Sequence, residues 1–203
     1  MLELLSPAGS PEAVVAAVQN GADAVYMGLG IFNARRGAKN FSDEEFEKAV
    51  RYCRIRGCKV YVTMNTLVGD REMEQAAELA RRVSDLGADA ILVQDIGLLS
   101  VLKRIVPDIP LHASTQMSIH DLAGVEAAAE MGLTRAVLAR ELSFEQIKFI
   151  TKHSPIETEI FVHGALCFCH SGQCYMSSLI GRRSGNRGMC AQPCRMEYTM
   201  GGR

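Results

Sequence analysis

The sequence lacks several features that would each assign a protein to a functional class. No apolar run approaches the roughly 20 residues that a membrane-spanning helix needs. The first residues, MLELLSPAGSPE, carry an acid and an early proline where a secretory signal would be basic and then apolar. No Walker A, HExxH or GxSxG sequence occurs. We therefore expect a cytoplasmic protein that makes no membrane contact. Its chemistry cannot be assigned from a common catalytic motif.

An excess of basic charge is also missing, whereas cysteine is plentiful. The formal net charge is −1, so nucleic-acid binding would need a local basic patch. Seven cysteines in a chain without a secretory signal indicate metal binding or catalysis rather than a disulfide framework. Cys53 and Cys58 lie in RYCRIRGC and are interpreted as buried structural residues. The other five are concentrated in residues 159–195: Cys167, Cys169, Cys174, Cys190 and Cys194.

Short apolar runs alternate with amphipathic segments along the chain. Strands are predicted at residues 2–5, 24–28, 59–67, 90–94, 111–116, 136–139 and 157–163. Ser10, Ser42 and Ser143 are predicted helix N-caps, the last two with a glutamate or glutamine three residues later. The repeats GADAV at 21–25 and GADAI at 87–91 each place a helix-ending glycine directly before a strand.

This alternation predicts an α/β fold of the TIM-type (β/α)8 barrel class. Seven strands, each followed by a helix except the last, are typical of such a barrel rather than of an open sheet. A complete barrel has about 250 residues. We therefore expect one barrel domain over residues 1–203 that is truncated after about seven strands and incomplete at its C-terminus, with residues 159–195 as a cysteine-rich segment.

Polar residues follow the predicted strands at the edge where barrel enzymes place their active sites. Each one alone is more commonly a strand end or a helix cap, but so many at one rim favour a ligand pocket. The rim residues are Ser6, Tyr26, Asn65, Gln94, Asp95, Ser114, Thr115, Gln116, Arg140, Glu141 and His163. The substrate-binding candidates are Asn65, Gln94, Asp95, Gln116 and Arg140, together with Arg182, Arg183 and Arg187 from the cysteine-rich segment.

The cysteine spacing favours a thiolate-bound metal centre. Cys190 and Cys194 have a near-knuckle spacing, whereas Cys167 and Cys174 are joined by a longer segment that contains Ser171 and is expected to be flexible. This irregularity favours an iron–sulfur cluster over a zinc knuckle. The arginines are interpreted either as a clamp for phosphate or carboxylate groups or as compensation for thiolate charge. The catalytic residue stays unassigned, with His163, His170 and Glu141 as candidates.

Several motifs resemble those of the peptidase U32 family, which is also called collagenase-like. The cysteine-rich segment contributes GALC, SGxCxxS and RSGNRGxCAQPCR, and the remainder contributes LLSPAGSPE, GADAVYMG, VTMNTL, VQDIGLL, HASTQM and VLARELS. Although the family is named for proteolysis, several members look like iron–sulfur proteins that support oxygen-independent hydroxylation of RNA bases or of a quinone precursor. The RNA-modifying members are associated with prephenate as the source of the hydroxyl group.

The resemblance implies roles for particular cysteines. Cys167, Cys174 and Cys190 match the family's cluster ligands, and the cluster implied is of the 4Fe-4S type. The fourth ligand in similar proteins lies further downstream than Arg203, so Cys194 is either a substitute ligand or a neighbour. The resemblance thus predicts RNA or another anionic substrate. A peptidase acting through Cys167 with His163 or His170, and a non-catalytic zinc-binding scaffold, are the alternatives. The oligomeric state is not predicted.

Overall fold

In the computed structural model, residues 2–34, 40–164, 167–199 and 201 are described. Seven strands form one parallel sheet in which the order along the chain is also the order in space. The strands are β1 (Leu5–Pro7), β2 (Ala24–Met27), β3 (Lys59–Met64), β4 (Ala90–Val93), β5 (Leu111–Ala113), β6 (Arg135–Val137) and β7 (Glu157–Glu159). This order, with a helix between each consecutive pair, confirms the predicted barrel class.

Three of the helices, α1, α2 and α6, begin at the predicted caps. They are α1 (Pro11–Gln19), α2 (Asp43–Arg54), α3 (Met73–Asp85), α4 (Ile96–Ile105), α5 (Leu122–Glu130), α6 (Phe144–His153) and α7 (Met176–Gly181). The side chain of Ser10 accepts a hydrogen bond from the first turn of α1, and Ser42 and Ser143 form full capping boxes on α2 and α6. Within the described ranges, no helix combines the length and the apolar character needed to cross a bilayer.

The strand boundaries differ from the prediction by a few residues. β3 ends at Met64 rather than at residue 67, and β7 ends at Glu159 rather than at residue 163. Strand pairing stops at these points, with Met64 opposite Val93 and Glu159 opposite Val137. The polar residues that follow β3 therefore belong to the rim, where their side chains rather than their backbones make the contacts.

Strand residues alternate between two packing layers. One face packs against the helices in a large apolar core that includes Cys53 and Cys58, at 0% and 5% exposure, which confirms that both are buried. The other face points into the barrel and forms a smaller cluster. Its members are Ala24, Tyr61, Ala90, Leu92 and Val137, with Leu5 and Tyr26 packed against them.

A charged layer lies inside the barrel at the amino-terminal ends of the strands. The guanidinium of Arg135 on β6 donates to Glu3 and to Glu157, at 2.6 Å in each case. Glu3 also accepts hydrogen bonds from Lys59 and from the Tyr61 hydroxyl, both at 2.9 Å. Because side chains from several strands meet here, the layer ties the two ends of the sheet together.

Candidate functional site

The floor of the barrel mouth is formed by interior positions at the carboxyl ends of β3, β4 and β5. The Asn65 amide donates to the Ser114 hydroxyl at 3.1 Å and its oxygen accepts from the backbone N–H of Ala34 at 2.9 Å. Gln94 follows β4, between these two strands, and continues the inward-facing series of Leu92. Its side-chain oxygen is buried and has no hydrogen-bond partner among the described residues. A buried unsatisfied oxygen costs about 1–3 kcal/mol, so this position fits the donor of a ligand or an ordered water.

The cysteine-rich segment packs directly onto the end of β5. Gly172 has a φ of +75°, and a Cβ added to it would overlap the backbone carbonyl of Gln116. Only glycine satisfies both the close approach and the left-handed backbone. The side-chain oxygen of Gln116 is buried and lacks a partner within the described part of the chain, as for Gln94. The contact therefore brings the segment over a second unsatisfied amide of the mouth.

Ser171 anchors the same segment. Its backbone N–H donates to Glu141 at 2.6 Å, and its hydroxyl contacts the Arg140 guanidinium at 3.2 Å. Its carbonyl accepts a hydrogen bond from the hydroxyl of Ser118. The residue is only 1% exposed. The expected flexibility around Ser171 is therefore wrong, because the segment is held by hydrogen bonds that are not visible in its local sequence.

The carboxylate of Glu141 accepts the hydrogen bonds that form this anchor. Partial burial acts to raise the pKa of its carboxyl, but hydrogen bonds from the backbone N–H groups of Glu141 and Ser171 outweigh burial and lower the pKa. Arg140 lies beside it and donates its backbone N–H to the Ser171 hydroxyl at 3.3 Å. Both residues thus position the segment. The predicted roles of Arg140 in substrate binding and of Glu141 in catalysis stay predictions.

The thiol of Cys169 has other cysteines in its surroundings beyond this anchor. The pKa of Cys169 is raised by burial and then by the neighbouring thiols of Cys174 and Cys167. All three residues are partly buried. In residues 2–34, 40–164, 167–199 and 201, no three Cys, His, Asp or Glu side chains are arranged to hold a metal ion. Cys174 is thus near Cys169, which was not among the predicted ligands and lies two residues after Cys167.

Cys190 joins this group from the far end of the segment. Gly185 lies between Cys174 and Cys190, since a Cβ added to it would stand 3.8 Å from the Cys174 carbonyl and 3.8 Å from the Cys190 Cβ. The Cys190 sulfur accepts from the Ser177 hydroxyl at 3.7 Å and from the Gln192 N–H at 3.4 Å. Hydrogen bonds of this kind stabilise and tune thiolate ligands. The donor chemistry therefore fits an iron–sulfur cluster.

Cys194 is more remote from the anchor. It is exposed and lies in the short 3-10 helix Pro193–Arg195, which packs against α7. The first turn of α7 supplies Ser177, whose hydroxyl accepts from the Ala191 N–H at 3.0 Å. The helix α7 was not predicted, because its six residues show no amphipathic periodicity that would indicate a helix.

A second tether fixes the segment to the loop after β3. Arg187 pairs with Glu72 at 2.5 Å and donates to the Leu67 carbonyl at 3.4 Å, while the Leu67 N–H donates to Asn186 at 3.1 Å. Asp95 likewise supports this loop, accepting from Val68 at 3.2 Å while capping α4 at 2.8 Å. The substrate contacts predicted for Arg187 and Asp95 stay predictions. Their contacts with the loop after β3 are present in the structure.

The other candidates lie in varied settings. Arg182 and Arg183 are exposed at the end of α7, and His163 and His170 are exposed on the segment itself. Ser6 pairs with Val25, which packs against the helices, so Ser6 does not face the mouth. Sequence reasoning missed Ser171, Gly172, Ser177 and Gly185. Their small size among the cysteines was the available signal.

The sequence profile of Peptidase family U32 matches residues 9–202. The chain belongs to this family. The U32 chain is 43% identical over 98% of its length to the 23S rRNA 5-hydroxycytidine C2501 synthase of Escherichia coli, of which it covers 30%. It is 37% identical to the tRNA hydroxylation protein P1 of Bacillus subtilis, matching 98% of its own length and 47% of the relative's.

A relative that is named collagenase, and not a hydroxylation protein, is also similar to the chain. The U32 chain is 34% identical to the collagenase of Porphyromonas gingivalis, over 98% of the chain and 50% of the relative. The chain thus spans between 30% and 50% of the length of these relatives. The solved structure of the U32 peptidase Mk0906 superimposes with a TM-score of 0.69 at 19% identity, over 83% of this chain and 71% of that one. That likeness supports the fold.

Proposed function

We propose that the U32 chain is the barrel of a protein that hydroxylates an RNA base beneath a cysteine-rich segment holding an iron–sulfur cluster. The observation that carries the proposal is the docking of Ser171 and Gly172 on the mouth, which puts the thiols and the unsatisfied amides at one end of the barrel. The names of the rRNA and tRNA hydroxylation relatives support the same function.

The ligands proposed for the cluster are Cys167, Cys174 and Cys190, with Cys169 and Cys194 as candidates for the remaining position. A 4Fe-4S cluster takes four thiolates and would supply electron transfer at the mouth. The sulfur of Cys190 already accepts hydrogen bonds from the Ser177 hydroxyl and the Gln192 N–H. Ser177 and Gln192 therefore act as supporting residues for this ligand.

The barrel residues would bind and orient the substrate. Asn65 is fixed by two hydrogen bonds, and the amides of Gln94 and Gln116 are suited to the donor groups of a base edge. The hydroxyl source suggested by the family resemblance is prephenate, a dicarboxylate. Arginine recognises carboxylates through paired hydrogen bonds, so the proposed partner for it is Arg140, which contacts Ser171 beside the mouth.

The test is metal analysis of the full-length protein purified without oxygen. We expect stoichiometric iron and sulfide with visible absorbance, and loss of both in Cys167→Ala, Cys174→Ala and Cys190→Ala. Cys53→Ala is the matched control, because Cys53 is buried on α2 away from the segment. Colourless protein without iron would overturn the cluster. Stoichiometric zinc without visible absorbance would favour the zinc scaffold instead.

Peptide hydrolysis is the second candidate, because a relative of the U32 chain is named collagenase. A cysteine nucleophile is activated by a lowered pKa, whereas that of Cys169 is raised. The dyad would have to use Cys167 with His163 or His170. Peptidase activity that disappears in Cys167→Ala and in one histidine variant would establish it, and activity that survives all three substitutions would exclude it.

A further inference from the structure

Exposed aromatic rings flank the grouped cysteines. Phe168 is 79% exposed and Tyr175 is 64% exposed. Phe168 directly precedes Cys169 and Tyr175 directly follows Cys174, and these two thiols are neighbours. The two exposed rings are therefore attached to the backbone next to two neighbouring cysteines. Single exposed apolar side chains are ordinary, whereas several close together mark an interaction site.

The helix α7 adds a further exposed apolar side chain to these rings. Tyr175 and Leu179 are four residues apart and share a helix hydrogen bond, so they lie on one face, where Leu179 is 83% exposed. Ser177 points the other way and is 2% exposed against Cys190. The helix thus turns its polar residue inward and its apolar residues outward, the reverse of an ordinary surface helix.

Positive charge is concentrated in the same region. Residues 160–196 contain four arginines and no aspartate or glutamate, although the chain as a whole has a net charge of −1. Arg187 is paired with Glu72, whereas Arg182 and Arg183 are exposed at the end of α7. We define the basic aromatic surface as Phe168, Tyr175, Leu179, Arg182 and Arg183.

We propose that the basic aromatic surface binds single-stranded RNA, with bases stacked on Phe168 and Tyr175 and phosphates on Arg182 and Arg183. Stacking accepts every base, and arginines without acidic neighbours attract the phosphate backbone. Protein interfaces are also enriched in aromatic residues and arginine, so self-association is the test outcome that identifies a protein partner. The proposal rests on the proposed function and adds to it a surface that holds the strand outside the mouth.

The first test measures the affinity for a short fluorescein-labelled single-stranded RNA by anisotropy. We expect Phe168→Ala and Tyr175→Ala each to raise Kd roughly 5- to 100-fold, the loss expected for one stacked base. Phe149→Ala is the matched control, because Phe149 is 55% exposed on α6 and lies outside the surface. Its Kd should equal that of the unchanged protein.

The second test uses salt. Arg183→Ala should weaken binding and reduce the slope of log K against log salt by about 0.7, as expected for one lost phosphate contact. Arg104→Ala on α4 is the control and should leave the slope unchanged. Thermal melting of every variant should match the unchanged protein, because all five side chains are at the surface.

The outcomes separate this inference from the proposed function. Iron-loaded protein that binds no RNA, or whose affinity is unaffected by both aromatic substitutions, overturns the surface and leaves the cluster standing. Iron-free protein with the expected pattern of Kd values supports the surface and removes the proposed cluster. Self-association that Leu179→Asp abolishes, without RNA binding, identifies a protein interface and overturns the proposal.

Discussion

The carboxylate of Glu3 lies 2.6 Å from the guanidinium of Arg135, although 132 residues separate them in the chain. Glu3 precedes β1 and Arg135 begins β6, so the contact crosses the barrel interior. Partial burial acts to raise the pKa of Glu3, but hydrogen bonds from Arg135, Lys59 and Tyr61 outweigh it and lower the pKa to about 2. The carboxylate of Glu3 and the guanidinium of Arg135 therefore stabilise each other in their charged forms.

Replacing Arg135 should destabilise the fold strongly. Arg135→Met keeps the side-chain length but leaves Glu3 without its main counter-charge, and the Arg135 side chain is only 8% exposed. We expect a loss of roughly 3 kcal/mol in the free energy of unfolding, which urea denaturation measures. Glu157 contributes little of this, because its side chain is 68% exposed.

A surface ion pair provides the comparison for this substitution. Arg82 and Asp43 are 3.4 Å apart with side chains that are 54% and 47% exposed. Arg82→Met should cost less than about 1 kcal/mol. Equal losses for the Arg82 and Arg135 variants would show that the interior layer is not a stabilising network.

The stability of the chain should fall as the pH drops below neutral. Burial, and then the charge of Arg135, lower the pKa of His112 from 6.5 to about 4. Between these values the unfolded chain takes up a proton that the folded chain does not, so the folded state loses stability with falling pH. We expect a loss of about 2–3 kcal/mol between pH 6.5 and pH 4.5.

The variant His112→Asn isolates this effect. Glu3 contributes mainly below about pH 5, since its pKa is 4.5 when unperturbed and about 2 in the folded chain. Burial raises the pKa of Glu159, so its uptake of a proton acts in the opposite direction. Urea unfolding of His112→Asn should therefore show a flat or reversed dependence on pH in this interval. A dependence equal to that of the unchanged protein would remove His112 from the explanation.

Local chemistry made much of the fold predictable. The caps at Ser10, Ser42 and Ser143 depend on residues within three positions, and the glycines at 21 and 87 do adopt positive φ values of 88° and 93°. The apolar runs likewise located β2 to β7, whereas the first run, at residues 2–5, overlaps β1 (Leu5–Pro7) only at Leu5. The contact between Glu3 and Arg135 was missed because it depends on the curvature of the whole sheet.

The sequence predicted which residues belong to the candidate site better than it predicted how they are arranged. Asn65, Gln94 and Gln116 do lie at the mouth, since strand ends meet there in any parallel barrel. The docking of Ser171 and Gly172 could not be predicted, because their partners, Glu141 and Gln116, are supplied by other strands. The local sequence around Ser171 and Gly172 does not indicate contacts with residues that are distant in the chain.

Enlarging Gly172 should release the cysteine-rich segment from the mouth. In Gly172→Ala the added methyl overlaps the Gln116 carbonyl and the φ of +75° disfavours alanine, so we expect at least about 2 kcal/mol of lost docking. Hydrogen exchange should show lost protection in residues 167–175, with the barrel strands unaffected. Gly181→Ala is the control, because nothing lies within 4 Å of its added Cβ. Unchanged protection in Gly172→Ala would contradict the close packing.

The anchor formed by Ser171 and Glu141 should behave as a coupled pair. Ser171 donates its hydroxyl to both Glu141 oxygens, at 3.2 and 3.3 Å, while its N–H donates at 2.6 Å and remains in Ser171→Ala. A double-mutant cycle with Ser171→Ala and Glu141→Gln, scored by the same hydrogen exchange of residues 167–175, should give a coupling energy between about 0.5 and 3 kcal/mol. Each single substitution should cost about 1–3 kcal/mol of docking, because Ser171→Ala removes the hydroxyl donor and Glu141→Gln removes the negative charge and one of the two acceptor oxygens. Additive losses would mean that the Ser171 hydroxyl and the Glu141 carboxylate hold the segment independently of each other. No loss in either single variant would mean that the segment is held by Gly172 and the tether at Arg187 instead. The thiols would then keep their place over the mouth even when the carboxylate is removed.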